Sequence, residues 1–177
     1  MQLKSIITAS VIAVLLTASS ASIAGLKVGD KAPNFSLKDQ NNLTHTLSDY
    51  EGQWIILYFY PKDDTPGCTI EGNDFAALND SFANQNTVIY GVSRDTISSH
   101  EKFRKKFSFS FELISDEDEA LCNQFKVIKL KKLYGKEYLG IVRSTFVISP
   151  NGEILKHWDN VKVDGHAEEV LEFVSDL

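Results

Sequence analysis

A cysteine at the point where an apolar run gives way to a helical pattern is the feature of this chain best suited to chemistry. Residues 61–71 read Pro-Lys-Asp-Asp-Thr-Pro-Gly-Cys-Thr-Ile-Glu and follow the run WIILYFY at 54–60. That run is β-branched and aromatic, as in a central strand buried on both faces. Beyond it, Phe75, Leu78 and Phe82 recur at helical spacing and predict a helix with one apolar face. Cys68 then falls in the first helical turn, where backbone N–H groups lack acceptors and the helix dipole is positive; both favour an anion. A thiolate is stabilised there, and the thiolate is the nucleophilic form of cysteine.

Cys68 and Cys122 are the two cysteines of the chain. They form a structural disulfide, or at least one of them is a functional thiol; spacing does not say whether they meet. A dithiol exchange enzyme would need a second thiol three residues after Cys68, where Glu71 stands. A copper-handling site would want one four residues on, where Gly72 stands. His45, His100, His157 and His166 show no ligand spacing, so neither metal nor other cofactor is expected. His157 is expected at a strand end and His166 in the first turn of the last helix. Asp116, Glu117, Asp118 and Glu119 crowd a predicted helix start, which reads as a solvated N-terminal turn rather than a calcium loop.

The elements that must position Cys68 follow from periodicity. Residues 35–39 and 43–47 alternate around Gln40-Asn41-Asn42 and predict a small hairpin. Residues 87–92 and 111–114 predict further strands. Residues 97–107, with Phe103 and Phe107 inward, and 117–125, with Ala120, Leu121 and Phe125, predict helices. Residues 144–149 and 153–157 flank Pro150-Asn151-Gly152, a hairpin turn signal. Asp164 is placed to cap a last helix that buries Ala167, Val170, Leu171 and Val174. Strands alternating with helices, then a closing hairpin and helix, argue for an α/β fold with a mixed sheet.

The chain has 177 residues, 43% apolar and 24% charged, the profile of one folded domain. Its formal charge of −6 gives no nucleic-acid footprint. The one basic cluster, residues 126–136 (KVIKLKKLYGK), reads as a solvated, partly looped face. Residues 1–24 read as a signal peptide: Lys4 is the sole charge, residues 6–16 are an apolar run too short to span a bilayer, and Ser22-Ile23-Ala24 fits the small-x-small rule for cleavage before Gly25. Residues 25–177 are then an exported domain, periplasmic or secreted, with no stable membrane association and expected to be a monomer or weak dimer.

The pattern Pro61-x-x-x-Thr65-x-x-Cys68 resembles the peroxiredoxin active-site motif. The wider string YFYPKDDTPGCTIEGNDF is similar to the bacterioferritin comigratory, or Q-type, branch of that family. The likeness extends from about Gly29 to the C-terminus through GVSRD at 91–95, SDED at 115–118, GKEY at 135–138 and RSTFVI at 143–148. It implies a thioredoxin-like fold, with a central mixed sheet flanked by helices and an N-terminal β-hairpin, and a thiol-dependent peroxidase. Cys68 would be the nucleophile oxidised to sulfenic acid. The resemblance assigns Thr65 to present its hydroxyl to thiolate and peroxide, and Arg143 to set a guanidinium beside the sulfur. It has Pro61 shield the pocket, the N–H groups of Gly67 and Cys68 bind peroxide oxygen, and Glu71 orient the arginine. Read singly, Thr65 is ordinary turn chemistry and Arg143 an edge-strand charge.

One departure matters. Many Q-type members carry a resolving cysteine five residues after the first, where this chain has Asn73. Others carry it in the next helix, and residues 97–107 hold none. The expectation is one-Cys behaviour, with recycling by an external thiol or a thioredoxin-like reductase. The competing possibilities are that Cys122 resolves Cys68, or that the domain is a binding or structural module holding a Cys68–Cys122 disulfide.

Overall fold

Alternating polar and apolar residues build the first two strands in the computed structural model, which describes residues 26–177. The signal-peptide reading of residues 1–24 lies outside the described residues. Strands β1 (Ser36–Asp39) and β2 (Thr44–Thr46) form the expected antiparallel hairpin. Then follow β3 (Trp54–Phe59), α1 (Pro66–Asn84), β4 (Thr87–Ser93), α2 (Ile97–Phe107), β5 (Glu112–Ser115) and α3 (Ala120–Gln124). The chain closes with β6 (Ile128–Leu133), β7 (Lys136–Ile141), β8 (Ser144–Ile148), β9 (Ile154–Asp159) and α4 (His166–Ser175). A seven-stranded mixed sheet runs in the order β2-β1-β5-β4-β3-β8-β9. Strand β3 pairs parallel to β4 and antiparallel to β8. This is the thioredoxin-like arrangement.

Strand β3 divides the core. Ile55, Leu57 and Phe59 face one side with Leu121, Cys122 and Phe125 around α3. Ile56, Tyr58 and Tyr60 face the other with Cys68, Phe75 and Phe82 of α1, Phe103 of α2, and Ala167, Val170 and Val174 of α4. Side chains alternate across a strand, so an unbroken apolar run is what a sheet covered on both faces requires.

Several expectations are corrected. The lysine-rich segment is solvated as expected but mostly strand rather than loop: β6 and β7 form a two-stranded sheet of their own around Tyr134 and Gly135, both at positive φ, with Leu130 opposite Leu139. The period-2 signal was present beneath the lysines. Helix α3 is shorter than expected because Glu119 adopts a left-handed conformation, and Ala120 is exposed. Asp116 is fully buried rather than solvated, and its carboxylate accepts from the Leu121 and Cys122 N–H groups at 3.0 and 2.7 Å. Gly165, not Asp164, is the N-cap of α4, which has no side-chain cap. His157 lies within β9, stacked on Phe146, rather than at a strand end. Phe107 is only half-buried.

Helix α1 approaches the α2–β5 connection closely through Gly72, where an added Cβ would stand 2.4 Å from the buried Phe109 ring. Gly72→Ala is expected to cost about 1–3 kcal/mol through this overpacking. Urea denaturation reads it as a lowered midpoint at unchanged slope.

Candidate active site

Strand β3 ends at Phe59, and its neighbour β8 begins opposite it: the register pairs Phe59 with Ser144. That pairing sets Arg143, one residue before β8, beside the loop that carries the chain from β3 into α1. Thr65 is the N-cap of α1 and Pro66 its first residue, a position where a missing N–H costs nothing. The first backbone bond of the helix runs from Thr69 N to Thr65 O at 2.9 Å. The Gly67 and Cys68 N–H groups precede it, so they lack a helical acceptor and are available to an anionic ligand.

Cys68 is 2% exposed, and Arg143 Nη2 donates to its sulfur at 3.2 Å. The other arm of the guanidinium, Nη1, donates to the Glu71 carboxylate in an ion pair. Glu71 follows Cys68 by three positions, which puts both on one face of α1. The planar fork of Arg143 thus spans sulfur and carboxylate at once. Burial pushes the Glu71 carboxyl up to about 7, with Arg143 pulling it back down. Burial also works against the Arg143 charge, yet Glu71 and then Cys68 hold the guanidinium above its ordinary range. Gly67 lies close by, its ideal Cβ position 3.4 Å from Nη2. Pro61 is half-buried in the loop.

Cys68, Gly67, Glu71 and Arg143 are therefore brought together as the motif implied. Thr65 differs in one respect. Its hydroxyl donates to the Lys62 carbonyl at 2.9 Å rather than to the thiolate, so it can meet an incoming ligand only with its lone pairs. Cys122 does not join the site. It belongs to the core on the other face of the sheet, both cysteines are free thiols, and burial next to Asp116 drives the Cys122 thiol far above its ordinary range. A Cys68–Cys122 disulfide would have to cross the sheet, which removes the structural-disulfide reading.

Three features escaped the sequence. The Tyr58 ring lies on the Cys68 face of β3, its hydroxyl buried without a partner and its ionisation opposed by burial and then by Glu71 and Cys68. His166 sits 2.8 Å from the Thr145 hydroxyl of β8, held neutral by burial, with its pKa lowered to about 4. Asp63, inside the motif, is buried against His100. Only the last left a trace, two acidic residues within a short loop, which sequence cannot tell from solvated charges. Among the described residues no cluster of three or more His, Cys, Asp or Glu is placed to hold a metal ion. A cleft of about 490 Å³ opens at the far end of β3, around Ile55, Tyr50 and Ser149, and contains none of these residues.

A thioredoxin-like sheet that seats a thiol at a helix start under a shared guanidinium defines the thiol peroxidase class. The AhpC/TSA family model matches residues 28–157, and the chain belongs to that family. It is 47% identical to the peroxiredoxin Bcp of Bacillus subtilis over 152 residues, which cover 86% of this chain and 97% of that protein. It is 55% identical to the Xanthomonas campestris Bcp over 126 residues, 71% of this chain and 79% of that one. Among solved structures, PrxQ of Xylella fastidiosa superposes with a TM-score of 0.83 at 44% identity, covering 86% of this chain and 98% of its own. The Xanthomonas campestris bacterioferritin comigratory protein, studied for alkyl peroxide reduction, superposes with a TM-score of 0.77 at 48% identity, covering 80% and 90%.

The raised Glu71 carboxyl has a thermodynamic consequence. The folded chain keeps the Glu71 proton up to about pH 7, whereas the unfolded chain releases it near 4.5. Stability therefore falls as pH rises through this window. Glu71→Gln is expected to flatten that slope in urea denaturation at pH 4.5, 6 and 7.5.

Proposed function

We propose that the protein reduces hydrogen peroxide and alkyl hydroperoxides through a sulfenic acid on Cys68, which an external thiol then reduces. The observation that carries this reading is the Arg143 guanidinium donating to the Cys68 sulfur while Glu71 anchors its other arm. The planar fork sets a fixed positive charge and a directed donor against the sulfur that attacks the peroxide. The thiolate attacks the terminal oxygen of ROOH; the sulfur–oxygen bond forms as the oxygen–oxygen bond breaks. Charge then develops on the leaving oxygen, within reach of the helix-start N–H groups, and a proton converts it to ROH. Two external thiols reduce the sulfenic acid, releasing water and leaving their own disulfide.

Recycling from outside is supported by the placement of the second thiol. Cys122 is buried on the opposite face of the sheet, and α2 carries no cysteine. A small thiol or a thioredoxin-like reductase supplies the electrons. The apolar run and small-x-small site in residues 1–24 support export before the enzyme acts, in the periplasm or outside the cell. Among the described residues no helix is long and apolar enough to cross a membrane.

Two measurements test this reading. In a peroxide-consumption assay with a panel of thiol reductants, Cys68→Ser should abolish turnover and Arg143→Ala should lower it by about 100-fold or more; full activity in the Cys68 variant overturns the assignment. Intact mass after one equivalent of peroxide should show the gain of oxygen, unchanged in Cys122→Ser. A loss of two hydrogens that disappears in that variant would instead establish Cys122 as the resolving thiol.

A further inference from the structure

A second buried polar pair stands behind the peroxide loop and takes no part in the chemistry above. Asp63 lies five positions before Cys68 with its side chain 4% exposed, and His100 of α2 is fully buried. His100 Nδ1 is 2.9 Å from Asp63 Oδ2, and its Nε2 is 3.2 Å from the Ile114 carbonyl of β5. Each ring nitrogen therefore has an oxygen within hydrogen-bond reach. The Asp63 carboxylate also accepts from the Tyr60 hydroxyl at 2.7 Å and from the Ser99 hydroxyl at 2.7 Å. The backbone is held as well: Asp63 N–H donates to Asp95 Oδ2 at 2.9 Å, and that carboxylate is fixed by the Ser93 hydroxyl at 2.7 Å.

Asp63 is thus tied to the end of β3, the end of β4, the turn before α2 and the first turn of α2. Between it and Cys68 the chain has little freedom. Asp64 occupies a left-handed conformation at φ 55°, Thr65 is the N-cap, and Pro66 has a ring-locked φ. Immobilising Asp63 therefore aims the Thr65 oxygen and the Gly67 and Cys68 N–H groups. Burying an aspartate and a histidine costs free energy unless their polar atoms are hydrogen-bonded, and here they are. What these bonds add is a single allowed geometry.

We propose that Asp63 and His100 are positioning residues, which act through the loop at 61–67 to hold the peroxide-binding donors in register with Cys68. The inference rests on the peroxidase reading and adds α2 to the machinery of that site. It makes the packing of α2 a determinant of peroxide reactivity, in a chain where that helix contributes no thiol.

The test compares two reactions of Cys68 in the purified protein. Oxidation by hydrogen peroxide, followed by competition with a reference peroxidase, needs the aligned donors; alkylation by iodoacetamide needs only an accessible thiolate. Asp63→Ala and His100→Leu are each expected to slow peroxide oxidation by about 10- to 100-fold, the effect of a small misalignment of reacting groups, with alkylation close to the parent's. The double variant should lose no more than the worse single variant, because the two residues act as one unit. Should Asp63→Ala not fold, the isosteric Asp63→Asn replaces it, with selective loss of the peroxide reaction still deciding. Peroxide rates equal to the parent's, a parallel fall in both reactions, or multiplying losses in the double variant would each overturn the proposal. A parent that does not react with peroxide overturns this inference and the peroxidase reading together; a reactive parent matched by its variants overturns only this one.

Discussion

One guanidinium shared between a sulfur and a carboxylate organises this molecule. Arg143 is largely buried, and a buried cation is tolerable only where it is paired and hydrogen-bonded. Glu71 supplies the pairing and Cys68 the second acceptor. Arginine suits the position because its donors are set in a rigid plane, so anchoring one arm aims the other. The arrangement also places a cation between the buried Glu71 carboxyl and the Cys68 sulfur on the same face of α1.

The central sheet decides which groups can take part. Strand β3 sends alternate side chains to two separate cores, and the two cysteines fall on opposite sides of that division. Cys68 is held at a helix start under a cation, whereas Cys122 is enclosed among apolar side chains beside the Asp116 carboxylate, where ionisation is opposed. Two thiols in one small domain are thereby given different surroundings. The sheet keeps them apart more firmly than distance along the chain would.

Around the sulfur the interior is more polar than a core built only for stability. Tyr58 buries an unpartnered hydroxyl, Glu71 keeps one oxygen unpaired, and Asp63 and His100 bury a hydrogen-bonded polar pair. Each costs free energy unless satisfied, and such groups collect where geometry must be held tightly. The apolar shell is correspondingly heavy in aromatics: Tyr58 stacks on Phe75 at 4.8 Å and on Tyr60 at 5.5 Å. Large rigid rings fill the space beneath the site with few rotatable bonds to lose on ordering.

Much of this was legible before any fold was known. The run at 54–60, the proline-flanked turn and the helical spacing of Phe75 and Phe82 are local patterns, and local patterns set secondary structure and put Cys68 at a helix start. The motif likewise named Arg143 and Glu71. What the sequence hid were facts about neighbours distant along the chain. The β6–β7 hairpin was masked because its lysines outweighed an alternation that pairing alone makes visible. Asp116 and Asp63 looked like surface acids, since burial depends on what packs above a residue. The faces occupied by Cys68 and Cys122 follow from which strand lies beside which. Composition and spacing determine what each segment is and which atoms can react; strand register and the two sides of one sheet decide which of those atoms meet, because hydrogen-bonded pairing and close packing act across space rather than along the chain.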